Sequence, residues 1–158
     1  MSTFVIGYDT EYVQDLDWSL RAVEAVAAVH RRHGAPATFF FVGRLLELQG
    51  ERYAALLRGG DLFDVQSHTY SHLSLKSQQP ERLSAAAEEL RKTADLIERH
   101  FGARPIGLCG PGGYENGLKD CPAMLRVIWD SGVRCVSTEG SSTTSPVPIS
   151  MPISPKRS

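Results

Sequence analysis

Short apolar runs of β-rich composition alternate along this chain with longer stretches whose apolar residues recur at helical spacing. The first run, residues 3–8, reads as a strand closing on Asp9. Leu16, Leu20, Val23 and Val26 then predict a helix over 16–32, stopped by Gly34 and Pro36. A second strand is expected over 37–42, apolar on both faces as strands of a covered parallel sheet are. A helical stretch over 44–58, with a break near Gly50, leads through Gly59 and Gly60 to a third strand over 62–66. The clearest helix spans 81–100. Pro80 stands at its start and Gly102 past its end, and Leu83, Ala87, Leu90, Ala94, Ile97 and Phe101 form its stripe. A short strand (106–109), a glycine-rich loop (110–117), a helix (122–130) and a fifth strand (133–137) complete the pattern.

Strands alternating with helices imply right-handed βαβ units and a parallel α/β sheet. Such folds gather their chemistry at the carboxyl ends of the strands. Asp9, Glu11, His68 and the glycine-rich loop all fall at such ends. Beyond residue 137 the pattern lapses into Ser, Thr and Pro, with Pro146, Pro148, Pro152 and Pro155 closely spaced. Residues 1–137 are therefore expected to form the folded unit that carries any site, and 138–158 an extended or disordered tail.

Composition changes this picture little. The chain has 158 residues, 42% hydrophobic and 22% charged, which suits one folded domain. Its formal charge is −1, from 17 basic and 18 acidic residues without a basic block, so neither nucleic acid nor a membrane surface is an expected partner. The amino terminus lacks the pattern of a secretory signal, and no segment reaches the ~18 apolar residues of a membrane helix. Cys109, Cys121 and Cys135 are odd in number and form no C-x-x-C pair, so reduced thiols and a cytoplasmic location are expected. Cys121 and Cys135 read as small buried residues, Trp18 and Trp129 as packing groups, and His30 and His33 as helix-end groups without a ligand role.

Two imidazoles, His68 and His72, stand four residues apart after the third strand. If that segment turns helical, both rings lie on one face and can meet one ion. Taken alone, they could equally be two surface histidines. Asp9 and Glu11 stand two apart at the end of the first strand, and alternation along a strand points both to one side. Alone, that pair could be a turn that prefers acidic residues. The combination says more, because a carboxylate pair and a histidine pair end strands of the same sheet. Two His and one carboxylate leave coordination positions open for water, as a catalytic metal site requires.

Tyr8-Asp9-Thr10-Glu11, then Ala37-Thr38-Phe39-Phe40, then Ser67-His68-Thr69-Tyr70-Ser71-His72 resemble successive motifs of the polysaccharide deacetylase (NodB homology) family. The stretch from Gly102-Ala103-Arg104-Pro105 to Pro111-Gly112-Gly113 resembles its next motif. The resemblance covers about residues 3–137. It implies a distorted (β/α) barrel and metal-dependent hydrolysis of non-peptide amide bonds, typically removal of N-acetyl groups from amino sugars. By motif, Asp9 would be the general base, and Glu11, His68 and His72 would hold a divalent ion, with Zn²⁺ the first candidate. Backbone N–H groups near Gly112 would face the oxyanion, and Tyr114 and Glu115 in the same loop are candidates to meet substrate.

The sequence departs from the family at two places. Cys109 stands where an arginine normally orients the catalytic aspartate, and a thiol cannot supply the same charge-assisted hydrogen bonds. The family's last motif, which carries its general-acid histidine, has no match. Five βα units are also too few for a closed barrel, so an incomplete barrel, truncated at its carboxyl end, is expected. Its open edge predicts self-association into a homo-oligomer. The leading reading is a metal-dependent hydrolase of non-peptide C–N bonds resembling amino-sugar N-deacetylases, with a hydrolase of small cyclic amides or ureides as an alternative. A degenerate metal-binding domain without turnover competes with it, and a non-haem iron oxygenase stands further back.

Overall fold

The structure, a computed structural model, describes residues 5–114, 117–138 and 149–152. Among the described residues ten elements follow one another: β1 (Gly7–Thr10), α1 (Leu16–His33), β2 (Ala37–Phe41), α2 (Gly43–Leu57), β3 (Phe63–Ser67), α3 (Pro80–Phe101), β4 (Gly107–Cys109), α4 (Pro122–Asp130), β5 (Cys135–Thr138) and β6 (Ile149–Pro152). The strands lie in one sheet in the order of the chain, β1 to β6. Pairing is parallel from β1 through β5 and antiparallel between β5 and β6. A sheet wound in one direction, with a helix after each strand, curls rather than spreading flat. Five parallel strands thus form a curled half-barrel, an incomplete (β/α) barrel as the pattern predicts.

Local chemistry explains the element ends. Asp15 caps α1 by accepting the Trp18 N–H at 2.9 Å, and Gly34 closes it in the left-handed conformation that L side chains resist. Pro80 opens α3, where its missing N–H costs nothing, and Gly102 closes it. The break expected near Gly50 is a kink at Gln49, and α2 continues across it. At Gly50 a Cβ would lie 2.3 Å from Nε2 of the buried His100, so the glycine admits that ring. The first strand runs two residues further than its apolar run suggests, to Thr10, with Thr3 and Phe4 outside the described residues. Within the tail expected to be extended or disordered, Ile149–Pro152 pairs with β5.

Two apolar clusters form the core. Phe39, Phe41, Leu45, Leu46 and Tyr53 dominate the first, between β2, α1 and α2. Leu75, Leu108, Met124 and Ile128 centre the second, under α4. Helix α3 borders both, giving Leu96 and Ile97 to the first and Ala86 and Leu90 to the second. Each fully buried side chain of this size contributes roughly 1.5–3 kcal/mol. Two expectations are corrected here. Cys135 is exposed, not buried, because it alternates along β5 with Val136, whose side chain packs into the core, whereas Cys121 is buried. Trp18 stands half-exposed against the Tyr12 ring instead of packing into the core. Among the described residues, no helix is long and apolar enough to cross a membrane.

Candidate metal centre

Three strand ends bring the candidate residues together. Asp9 lies in β1 and Glu11 just past it, His68 follows β3 directly, and Cys109 ends β4. The 68–72 segment does not turn helical as the spacing suggested. It is a loop in which Thr69 (φ 59°) and His72 (φ 66°) adopt left-handed backbone conformations that residues with a Cβ seldom take. These two bends, not a helical repeat, turn His72 back toward His68, whose ring centroid is 5.2 Å away.

One carboxylate oxygen is the focus. Glu11 Oε2 lies 2.9 Å from His68 Nε2 and 2.8 Å from His72 Nε2. The His68 side chain is only 1% exposed, while Glu11 (47%) and His72 (44%) open to solvent, so the cluster has a protein side and a solvent side. His68 Nδ1 lies 2.9 Å from the carbonyl oxygen of Cys109. A carbonyl can only accept, so Nδ1 carries a proton, which in a neutral ring leaves Nε2 as the nitrogen able to bind an ion. Nε2 and the Glu11 carboxylate oxygen face each other across 2.9 Å, an arrangement that a cation shared between them, proton or metal, stabilises. Two imidazole nitrogens and a carboxylate, with one imidazole oriented by a backbone carbonyl, are a donor set that fits a divalent ion.

The remaining candidates divide. Asp9 Oδ1 lies 3.9 Å from His68 Nδ1, and the Asp9 side chain is half-exposed at the same mouth. Asp9, His68 and Cys109 offer donor atoms within 4.8 Å of one another, so the Cys109 thiol sits beside the Asp9 carboxylate. Gly112 lies exposed in the loop after β4 with a left-handed backbone (φ 72°). Tyr114 is a correction: it is 6% exposed within the second core cluster, and its hydroxyl accepts the Leu75 N–H at 2.9 Å. Its ring packs into the core beneath that loop. Glu115 lies outside the described residues. Arg104 pairs with Asp95 and Glu98 on α3, away from the strand ends.

Sequence reasoning missed the residues that hold the histidine loop. Glu89 on α3 accepts the N–H of Tyr70 (2.9 Å) and of Ser71 (2.8 Å), and the Ser71 hydroxyl at 2.5 Å. The first N–H groups of α2, from Gly43 and Arg44, donate to the carbonyls of Thr69 and Tyr70 at 2.9 and 3.0 Å. Tyr70 also donates to Glu47, and Lys92 lies 3.7 Å over its ring. No signal in the sequence singles Glu89 out, since its neighbour Glu88 has the same chemistry and faces solvent.

Comparison with known proteins bears on this geometry. A family model described as polysaccharide deacetylase matches residues 3–123. No curated protein matches the chain. Solved structures of similar fold include a CE4 family pseudoenzyme, BA3943, from Bacillus anthracis. The TM-score is 0.63 at 17% identity, over 82% of this chain and 40% of that one. A putative polysaccharide deacetylase from Mycobacterium smegmatis gives 0.64 at 18% identity, over 85% and 50%. A family 4 carbohydrate esterase from Streptomyces lividans, in complex with acetate, gives 0.57 at 18% identity, over 82% and 58%. At these identities the likeness concerns the fold, and the chain spans about half the length of these neighbours.

Proposed function

The chain belongs to the polysaccharide deacetylase family, and on that footing we propose that it is a metal-dependent hydrolase of non-peptide C–N bonds, acting on an N-acetylated amino sugar or a small amide. The observation that carries this reading is the convergence of His68 Nε2 and His72 Nε2 on one oxygen of Glu11. These three side chains would hold the ion. A bound divalent ion, with Zn²⁺ the first candidate, supplies polarisation of the amide carbonyl and acidification of water. Asp9 takes the water's proton on its carboxylate, and its half-exposed position lets water reach it. The Nδ1–H bond to the Cys109 carbonyl fixes the His68 ring with Nε2 toward Glu11. The exposed backbone at Gly112 is the candidate donor to the oxyanion.

A second reading, metal binding without turnover, has its own support. Beside Asp9 stands the Cys109 thiol, where the resembling motif has an arginine, and no histidine among the described residues after His72 reaches the strand ends, because His100 is buried against Glu51. One experiment separates the two. The full chain, loaded with Zn²⁺, is offered N-acetylated sugars and small amides, and acetate and amine are assayed. The hydrolase reading expects release that falls at least about 100-fold in His68→Ala. Stoichiometric metal without release across the panel contradicts it and favours the second reading.

A further inference from the structure

We propose that Glu89 is a positioning residue for the histidine loop, holding His68 and His72 in register for a shared ion from a helix that carries no ligand itself. The inference rests on the metal reading given above, and deepens it. The loop leaves β3 and places two left-handed residues, Thr69 and His72, within four positions. Neither is glycine, so the conformation persists only if surrounding contacts impose it.

Those contacts come from two sides. On the carbonyl side, Gly43 and Arg44 at the start of α2 donate to Thr69 and Tyr70. Gly43 is required there, because a Cβ would lie 2.6 Å from Thr93 Oγ1 and 2.9 Å from the Tyr70 ring. On the amide side, consecutive N–H groups of Tyr70 and Ser71 converge on one oxygen of Glu89, and the Ser71 hydroxyl donates to the other. Bonds from neutral donors to a carboxylate are about twice as strong as neutral pairs. Within the loop, Thr69 Oγ1 accepts the Leu73 N–H at 3.0 Å and Ser67 Oγ the Thr69 N–H at 3.3 Å. Both are neutral and local. Glu89 is thus the charged group that takes the backbone N–H groups in the middle of the loop, whereas Glu47 and Lys92 meet only the Tyr70 side chain.

Two variants test this, Glu89→Ala and Glu89→Gln, with Glu88→Ala as the control on the same helix. Metal-free full-length protein is first followed by amide hydrogen exchange. In Glu89→Ala, exchange at Tyr70 and Ser71 is expected to rise at least about tenfold relative to the α3 core. Zn²⁺ affinity, read by competition with a chromophoric chelator, is expected to fall about 10–100-fold in Glu89→Ala. Glu89→Gln, which keeps one acceptor oxygen, should retain part of both, and Glu88→Ala should change neither. Unchanged exchange at Tyr70 and Ser71, or unchanged Zn²⁺ affinity in a wild-type chain that binds it, overturns the proposal. Faster exchange in a chain whose wild type binds no Zn²⁺ leaves Glu89 holding the loop and removes the metal reading instead. If Glu89→Ala does not fold, the same readouts on Glu89→Gln decide.

Discussion

The two seams beside β3 are built differently. On one side, β3 pairs with β2 through five consecutive residues, from Ala37 opposite Phe63 to Phe41 opposite Ser67. On the other, its register with β4 is a single pair, Ser67 opposite Leu108. There the side chain of Gln66 replaces the missing ladder, its Oε1 accepting the N–H of Ile106 at 2.9 Å and of Gly107 at 2.5 Å, while its Nε2 donates to Asp64. The β2 seam is repetitive backbone bonding, which many sequences can make. The β4 seam has one backbone pair and depends on one side-chain amide for most of its remaining bonds. His68 leaves β3 at the second seam and binds the carbonyl of Cys109 across it. The candidate site is therefore positioned by the less redundant of the two joints.

The first core backs the regular seam, the second backs the irregular one, and α3 joins them. Phe41→Ala should have the largest effect, a loss of about 3–5 kcal/mol measured by urea unfolding, because the ring is fully buried against Tyr53, Phe39 and Phe101. Met124→Ala in the second core should cost about 2–5 kcal/mol and still unfold in a single transition. A separate early transition in that variant would show that α3 does not couple the halves.

Gln66→Leu should cost less than Phe41→Ala, about 2–3 kcal/mol, by leaving two backbone donors without an acceptor. Its second consequence sharpens the comparison: the His68 to Cys109 bond should loosen, so the His68 ring resonance should shift while the β2–β3 amides stay protected. Loss of protection on both sides of β3 would show that the seams do not differ.

The smallest effect concerns pH. The Tyr70 hydroxyl, and then Lys92, hold the Glu47 carboxyl below its ordinary value of 4.5. A carboxyl depressed in the folded chain adds stability above that ordinary value and loses it as pH falls through the folded one. Glu47 is exposed, so the contribution is small. Glu47→Gln should be slightly less stable than wild type at pH 7, and the two acid-unfolding curves should converge as pH falls.

The periodic elements were legible in the sequence because their signals are local. The α3 stripe picked out Leu90, Ala94 and Ile97, all buried, and the Pro80 and Gly102 boundaries lie at the observed ends. The convergence of Glu11, His68 and His72 was legible as a combination of strand ends, but its means was not: a loop with two left-handed residues leaves no periodic mark. Polar residues with distant partners were equally silent. His30 looked like a helix-end group, yet it is buried, bonded to the Tyr8 hydroxyl at 2.9 Å and to the Ala35 carbonyl at 2.8 Å. Ser19 takes a bond from Tyr53, 34 positions away. Gln66 and Glu89 belong with them, since a single polar side chain acquires its meaning only when the fold brings its partners.

The central claim is that Glu11, His68 and His72 form one cation site. Zinc titration of the metal-free chain by calorimetry, beside Glu11→Ala, tests it most directly. The account expects one equivalent bound by the wild type, and affinity at least about 100-fold weaker in the variant. A wild type that binds no zinc, or a Glu11→Ala chain that binds it equally well, would contradict it.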